Sequence, residues 1–260
     1  MPFHKQAKSE PDVSLNYAIY EAKYATGNNE IKTSAEPKEM QYYEPFLEII
    51  ESIILKKRIT RILDYGCGPG KVGIYLSRTN HKNYVLTGID ISETAVALAL
   101  TNGYTNVYIS DGRFFPENEN FDIVLLNSII EHIEQEALKK LFQKISHVTD
   151  SVFIVVPNFG SPRRYWVGRK KELEKEKTEL GHINILSKQD ICHLLKQNGF
   201  TKISFSFWHI FKNLELLNYE RLHNCKWLSP LYTLLAFFPF YYIRESFWIY
   251  AEKQKNMTKP

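Results

Sequence analysis

Three sets of residues in this sequence could do chemistry: acids that follow short apolar runs, glycines crowded behind the first of them, and histidines beside an acid or a glycine. The first two sets meet in Ile62-Leu63-Asp64-Tyr65-Gly66-Cys67-Gly68-Pro69-Gly70-Lys71-Val72-Gly73, where an apolar run breaks into a glycine-rich turn and then into a helical pattern. Gly66, Gly68, Gly70 and Gly73 let the backbone turn tightly and approach a ligand closely, and a helix starting near Lys71 points its N-terminal amides at that ligand. Gly68 to Gly73 also fits GxGxxG, the dinucleotide pattern, with Asp90 about twenty residues further on. Asp64 argues against that ligand. A carboxylate immediately before the loop repels a pyrophosphate and holds a group that carries an ammonium. A single Asp at a strand end is usually a turn former or a helix cap. Asp64, Asp90 and Asp111, at three successive strand ends beside a glycine loop, point instead to a binding edge.

The elements that must position these residues follow from periodicity. Apolar residues Tyr43, Phe46, Leu47, Ile50, Ile53 and Ile54 recur at helical spacing and predict an amphipathic helix over Pro37 to Lys57. Strands are expected at Arg61 to Tyr65, Tyr84 to Ile89, Val107 to Ser110, Phe121 to Asn127 and Ser151 to Val156. Helices at Val72 to Arg78, Ser92 to Thr101 and Gln135 to His147 separate them. This alternation predicts an α/β fold: a mostly parallel sheet with helices on both faces. Ser92 reads as an N-cap, and Glu134 as a first-turn acid. Ser187-Lys188-Gln189-Asp190 reads as the N-cap of a helix over Ile191 to Gln197, closed by Asn198-Gly199, and strands at Lys202 to Phe207 and Phe247 to Glu252 complete the sheet.

The organisation expected is an N-terminal helical segment (1–57), with Tyr17, Tyr20 and Tyr24 on one helical face, then a main domain (58–253) and a mobile tail (254–260). Two inserts interrupt the main domain: a charge-dense one at 158–186, whose mixed signs at helical spacing suggest a solvated helix, and an aromatic one at 208–246. Residues 227–243 hold no charge but include Pro230 and Pro239, so a spanning helix is not expected there; an aromatic helix and loop, or a peripheral membrane contact, are. The composition, 44% hydrophobic and 24% charged, is that of a folded chain. The net charge of +4, spread through the chain, gives little support to a nucleic-acid role. Cys67, Cys192 and Cys225 are too far apart for a zinc or disulfide framework, and residues 1–10 have no apolar stretch, so a cytoplasmic protein without a signal peptide is expected.

From Ile59 to Phe207 the sequence resembles the class I S-adenosylmethionine-dependent methyltransferases, of the small-molecule type that includes enzymes of quinone biosynthesis. The resemblance rests on Leu63-Asp64-Tyr65-Gly66-Cys67-Gly68-Pro69-Gly70, Gly88-Ile89-Asp90-Ile91-Ser92, Ser110-Asp111-Gly112 and Phe121-Asp122-Ile123-Val124, in the expected order. It implies a Rossmann-like seven-stranded sheet and S-adenosylmethionine as cofactor. Asp64 would lie near the methionine ammonium, with Tyr65, Gly66, Cys67, Gly68 and Gly70 making room for the methionine part. Asp90 would take the ribose hydroxyls, Ile91 would flank the adenine, and Asp111 would accept from its amino group beside Gly112 and Arg113. Asn127 would be a further cofactor contact.

Methyl transfer from a sulfonium mainly requires alignment of nucleophile and methyl group, and a hydroxyl acceptor also needs a base. Asn127-Ser128-Ile129-Ile130-Glu131-His132-Ile133 resembles the Glu-His-aliphatic motif of small-molecule methyltransferases. His132 can be a general base, a structural hydrogen-bonding residue or a donor that orients the substrate, with Glu131 beside it. Gly181-His182-Ile183 resembles the family's entry to the late helix, which implies that the insert at 158–186 covers the substrate and that His182 either touches substrate or ties the loop together. Arg163, Arg164, Arg169, Lys170 and Lys171 either form a solvated surface or receive an anionic acceptor. The expectation is methylation of a small or conjugated metabolite at oxygen, with nitrogen as the alternative, and without a metal requirement. No Asn/Asp-Pro-Pro-aromatic tetrad follows the fourth strand, so nucleic acid is not the expected acceptor. A lipid-linked acceptor and a non-catalytic cofactor-binding protein remain further alternatives.

Overall fold

The computed structural model describes residues 37–79, 83–110, 114–157, 182–205 and 246–254. The N-terminal tyrosines, Asp111, Gly112 and Arg113, the basic cluster from Arg163 to Lys171, the aromatic run at 227–243 and the tail at 255–260 lie outside the described residues.

Alternation of strand and helix is what the chain adopts. The elements, in order, are α1 (Pro37–Lys57), β1 (Arg61–Tyr65), α2 (Lys71–Ser77), β2 (Val85–Asp90), α3 (Glu93–Thr101), β3 (Asn106–Ile109) and β4 (Ile123–Asn127), then a 3-10 turn (Ile130–His132), α4 (Gln135–Val148), β5 (Ser151–Pro157), α5 (Lys188–Gln197), β6 (Phe200–Phe205) and β7 (Ser246–Lys253). The sheet order is β3-β2-β1-β4-β5-β7-β6. Strands β1 to β5 run parallel, and β7 inserts antiparallel between β5 and β6. This is a Rossmann-like, seven-stranded, mostly parallel sheet.

Successive strand residues point to opposite faces, which sorts the apolar runs into two layers. Leu63 and Tyr65 of β1 join Val124 and Leu126 of β4 on one face, covered by Phe142 and Ile145 of α4 and Ile191 and Leu195 of α5. Ile62, Ile123, Leu125 and Phe153 face the other way, under Phe46, Leu47, Ile50 and Ile54 of α1 and Val72 and Leu76 of α2. Each such side chain, fully buried, contributes roughly 1.5–3 kcal/mol. Both predicted caps form: Ser92 Oγ accepts from Ala95 N, and Ser187 with Asp190 makes a reciprocal capping box. Glu134 differs from expectation. It is the N-cap residue of α4, with non-helical backbone (φ −58, ψ 148) and no side-chain cap bond, and Glu136 is the acid of the first turn.

At the far end of the sheet Glu252 binds Lys57 at 2.8 Å and Lys202 at 3.2 Å, joining α1 to β6 and β7. Burial acts to raise its carboxyl, but hydrogen bonds from Lys57, Tyr250 and Lys202 bring it down to about 2. Among the described residues no helix is long and apolar enough to cross a membrane.

Candidate active site

The parallel strands deliver their carboxyl ends to one edge, where ligands bind in open α/β sheets. The turn after β1 arrives there already folded onto itself. Gly66 N and Cys67 N donate to the carbonyl of Ile89 at 2.7 and 3.0 Å, Gly68 N donates to Asp90 Oδ2 at 2.8 Å, and Gly70 N donates to the Cys67 carbonyl at 3.1 Å. Pro69 has no amide hydrogen, and its carbonyl accepts from Asn102 Nδ2 at 2.7 Å. Every amide from Gly66 to Gly70 is thus used within the chain, which leaves no nest of donors for a pyrophosphate. Asp90 holds the turn in place: Oδ2 takes Gly68 N and Oδ1 takes Ser92 N at 3.0 Å. Each oxygen has a second lone pair, so the same carboxylate can accept from a vicinal diol. Ile91 follows, half-buried.

The glycines divide their work differently from the expectation. Gly66 has φ +81, and a Cβ there would lie 2.7 Å from Ile129 Cγ1, so this glycine brings the loop against the turn after β4. Gly73 serves packing and not a ligand: a Cβ there would sit 2.1 Å from the Asn102 carbonyl oxygen and 2.8 Å from the Tyr104 ring. Tyr104 is the residue of this corner that sequence reasoning missed. Its hydroxyl donates to Asp64 Oδ2 at 2.5 Å, across forty residues of chain, inside a buried corner. The available signal was Gly88 within β2, where a Cβ would meet both Cys67 Sγ and the Tyr104 ring at 2.8 Å; a glycine inside a strand marks such close approach.

Asp64 therefore lies behind the loop and not on its rim. Burial pushes its carboxyl up to about 7, the Tyr104 hydrogen bond pulls it down, and the nearby Asp90 raises it further. Its second oxygen, Oδ1, is buried with no hydrogen-bond partner among the described residues. Cys67 is buried, and burial together with Asp90 and Asp64 holds its thiol well above the usual range, which makes it a packing group. The Tyr65 ring packs on Phe115, with centroids 6.0 Å apart.

Beyond β4 the chain bends sharply. Asn127 ends the strand half-buried, with Oδ1 lacking a partner among the described residues, and Ser128 takes φ +51, a left-handed conformation uncommon for a residue with a side chain. The bend starts the 3-10 turn that carries Glu131, fully buried, and His132. His182 comes to them from fifty residues away. Ile183 N and Asn184 N both donate to the Glu131 carbonyl, at 3.0 and 2.9 Å, and Asn184 Nδ2 donates to the Ile133 carbonyl at 3.2 Å. The His132 and His182 rings lie 4.8 Å apart, and His132 Nε2 is 3.9 Å from Glu131 Oε1. The structure thus joins Asp64, Gly66 to Gly70 and Asp90 at one corner and Glu131, His132 and His182 beside it, with Ile129 touching the loop between them.

A family described as a methyltransferase domain matches residues 33–204. The chain belongs to that methyltransferase family. The match takes in α1 as well as the glycine loop and the Glu131–His182 cluster. Among curated relatives, a malonyl-[acyl-carrier protein] O-methyltransferase of Bacillus cereus is 26% identical over 159 residues, which are 55% of this chain and 57% of that protein. The chain thus spans a little over half the length of that relative. Two solved structures have the same fold. The plantazolicin methyltransferase in complex with SAH aligns at a TM-score of 0.55 and 18% identity, covering 92% of this chain and 96% of its own. The magnesium protoporphyrin IX methyltransferase of Synechocystis PCC 6803 with bound SAH aligns at 0.53 and 12% identity, covering 88% and 99%.

Proposed function

We propose that this methyltransferase-family chain transfers a methyl group from S-adenosylmethionine to an oxygen of a small or conjugated metabolite. The observation that carries the reading is the loop itself. Its amides from Gly66 to Gly70 are all consumed internally, while the carboxylates of Asp64 and Asp90 stand behind and beside it. Such a corner disfavours a pyrophosphate and suits a donor with an ammonium group and a ribose diol. Asp64 balances the ammonium, Asp90 accepts from the diol, and Ile91 borders the base. Asn127, at the end of β4, is a further contact, and Asp111 with Gly112 and Arg113 completes the adenine side.

The donor supplies an electrophilic methyl on a sulfonium. The chain's task is then to align an acceptor oxygen with it and to take that oxygen's proton. His132 follows Glu131 in the turn beyond β4, next to the glycine-loop corner, so its imidazole is the group assigned to accept the proton. Glu131 places a carboxylate 3.9 Å from that ring, and His182, held beside it through Ile183 and Asn184, borders the acceptor. Oxygen as acceptor is supported by this base and by the curated relative named an O-methyltransferase. The basic residues from Arg163 to Lys171 would favour an anionic or carrier-conjugated acceptor. Calorimetry with S-adenosylmethionine and with NADH tests the donor: tight binding of NADH alone sinks the reading. For His132→Ala, turnover in a methyl-donor assay against a metabolite panel should fall about 100-fold or more while donor affinity is kept. Unchanged turnover rejects the base.

A further inference from the structure

We infer that Glu131, His132 and His182 form a binding site for one first-row divalent metal ion, resting on the methyl-transfer reading for its use but not for its existence. One ligand atom from each residue lies within 4.8 Å of the others, and all three side chains are buried or nearly so. A carboxylate with two imidazoles is the donor set that binds zinc in open catalytic sites and other first-row ions at facial triads. Magnesium and calcium favour all-oxygen sites, so the ion is of the manganese-to-zinc series. Bond lengths of about 2.0–2.2 Å bring neighbouring ligand atoms to roughly 3 to 3.4 Å, so the widest gap in the cluster closes by up to about 1.4 to 1.8 Å on loading. His132 Nε2 and Glu131 Oε1, already 3.9 Å apart, have less than that to travel.

Two features make this a built site and not a chance meeting of polar groups. The backbone of Ile183 and Asn184 is fixed to the Glu131 carbonyl by two hydrogen bonds, so the third ligand is held beside the first two by the fold. Glu131 is also fully buried, and a divalent ion bound there would offset part of the cost of holding an ionised carboxylate out of water. The sequence hid the site because the ligands are two adjacent residues and one from a distant segment, without metal-ligand spacing.

Three protein ligands leave positions open, so the acceptor class is a metabolite that offers a hydroxyl with a second oxygen beside it. The imidazole that accepts the proton in the ion-free chain becomes a ligand in the loaded one. A hydroxyl bound there loses its proton to solvent, and its oxygen bonds to the methyl carbon as the carbon–sulfur bond breaks, the electron pair staying on sulfur.

The test uses the full chain, stripped with a chelator, desalted and titrated with Co2+ while visible absorption is followed. One ion per chain with ligand-field bands is expected, weakened at least tenfold in Glu131→Gln and His182→Gln, with affinity for S-adenosylhomocysteine within twofold of the parent. His132→Gln, at the least buried position, keeps the readout if a buried variant fails to fold. No Co2+ binding at 100 µM (about the weakest affinity, near 10⁻⁴ M, that an occupied site would have), or equal binding by parent and variants, overturns the site. If the parent binds the donor product but not Co2+, the methyl-transfer reading stands alone. If it binds Co2+ but not the donor product, the ion site stands and the methyl-transfer reading falls.

Discussion

Asp64→Asn isolates the charge behind the glycine loop. The side chain keeps its shape and can still accept from Tyr104, but it cannot ionise. In the ligand-free chain burial raises the Asp64 carboxyl from 3.8 to about 7. At about 1.4 kcal/mol per unit, the shift makes ionised Asp64 cost the fold about 4 kcal/mol. The group is raised, so its contribution to stability is fully present below its unfolded value and is lost as pH rises through about 7. Wild-type stability should therefore fall by about 4 kcal/mol relative to Asp64→Asn between pH 4 and pH 8, read from denaturant midpoints. Donor binding reverses the balance, because an ammonium at the loop favours the ionised carboxylate. Below pH 7 binding must release the Asp64 proton, and wild-type affinity for S-adenosylmethionine should climb about tenfold per pH unit from pH 5 to pH 7. Above that it levels off, and Asp64→Asn should be flat throughout. Calorimetry across this range decides the matter. A wild-type affinity that changes less than about threefold between pH 5 and pH 7, against the hundredfold expected from linkage, refutes the assignment of Asp64 to the ammonium.

Tyr104→Phe removes the hydrogen bond that holds the Asp64 carboxyl down; donor affinity at pH 7 should drop about tenfold, and the pH midpoint of binding should move up. An unshifted midpoint would mean that Tyr104 only packs. Asp90→Ala deprives Gly68 N and Ser92 N of their acceptor as well as the donor's diol; at about 1.5–3 kcal/mol per charged hydrogen bond, donor affinity should fall more than 100-fold by calorimetry. Parent-like affinity would remove the ribose assignment. Gly73→Ala places a Cβ 2.1 Å from the Asn102 carbonyl and should destabilise the chain by about 1–3 kcal/mol in thermal melts; a neutral result would contradict the packing role given to that glycine.

What could be read in the sequence is what local periodicity encodes. The alternation of apolar runs with amphipathic stretches fixes strands and helices in order, because period 2 and period 3.6 each reach only a few residues. The element boundaries shift by a residue or two where hydrogen bonding overrides pattern, as at β7, which runs from Ser246 to Lys253 once it is paired on both sides. Its place between β5 and β6 carries no local mark, since antiparallel insertion depends on the whole sheet. In the glycine loop, the positions of Asp64 and Asp90 followed from their strand ends, but the use made of the glycines did not. Gly73 and Gly88 read as ligand-facing or neutral until Tyr104 is seen to occupy the space that they vacate.

The acid and the histidines show the same limit more sharply. Glu131 and His132 declare themselves by adjacency, whereas His182 is brought to them by two backbone hydrogen bonds from Ile183 and Asn184 to the Glu131 carbonyl. A peptide carbonyl is the same at every position, so no residue type signals that contact. Yet the contact decides the chemistry. It turns one imidazole beside one carboxylate, which can move a proton, into two imidazoles beside a carboxylate, which can also hold an ion. Asn184 makes this separable, since its side chain braces the Ile133 carbonyl without belonging to the cluster. Asn184→Ala should leave S-adenosylhomocysteine affinity unchanged and loosen His182 against His132. With one hydrogen bond of about 1 kcal/mol removed, the fall in turnover should be severalfold and not the 100-fold expected for His132→Ala. Equal losses in the two variants would show that the brace, and not the imidazole, carries the effect.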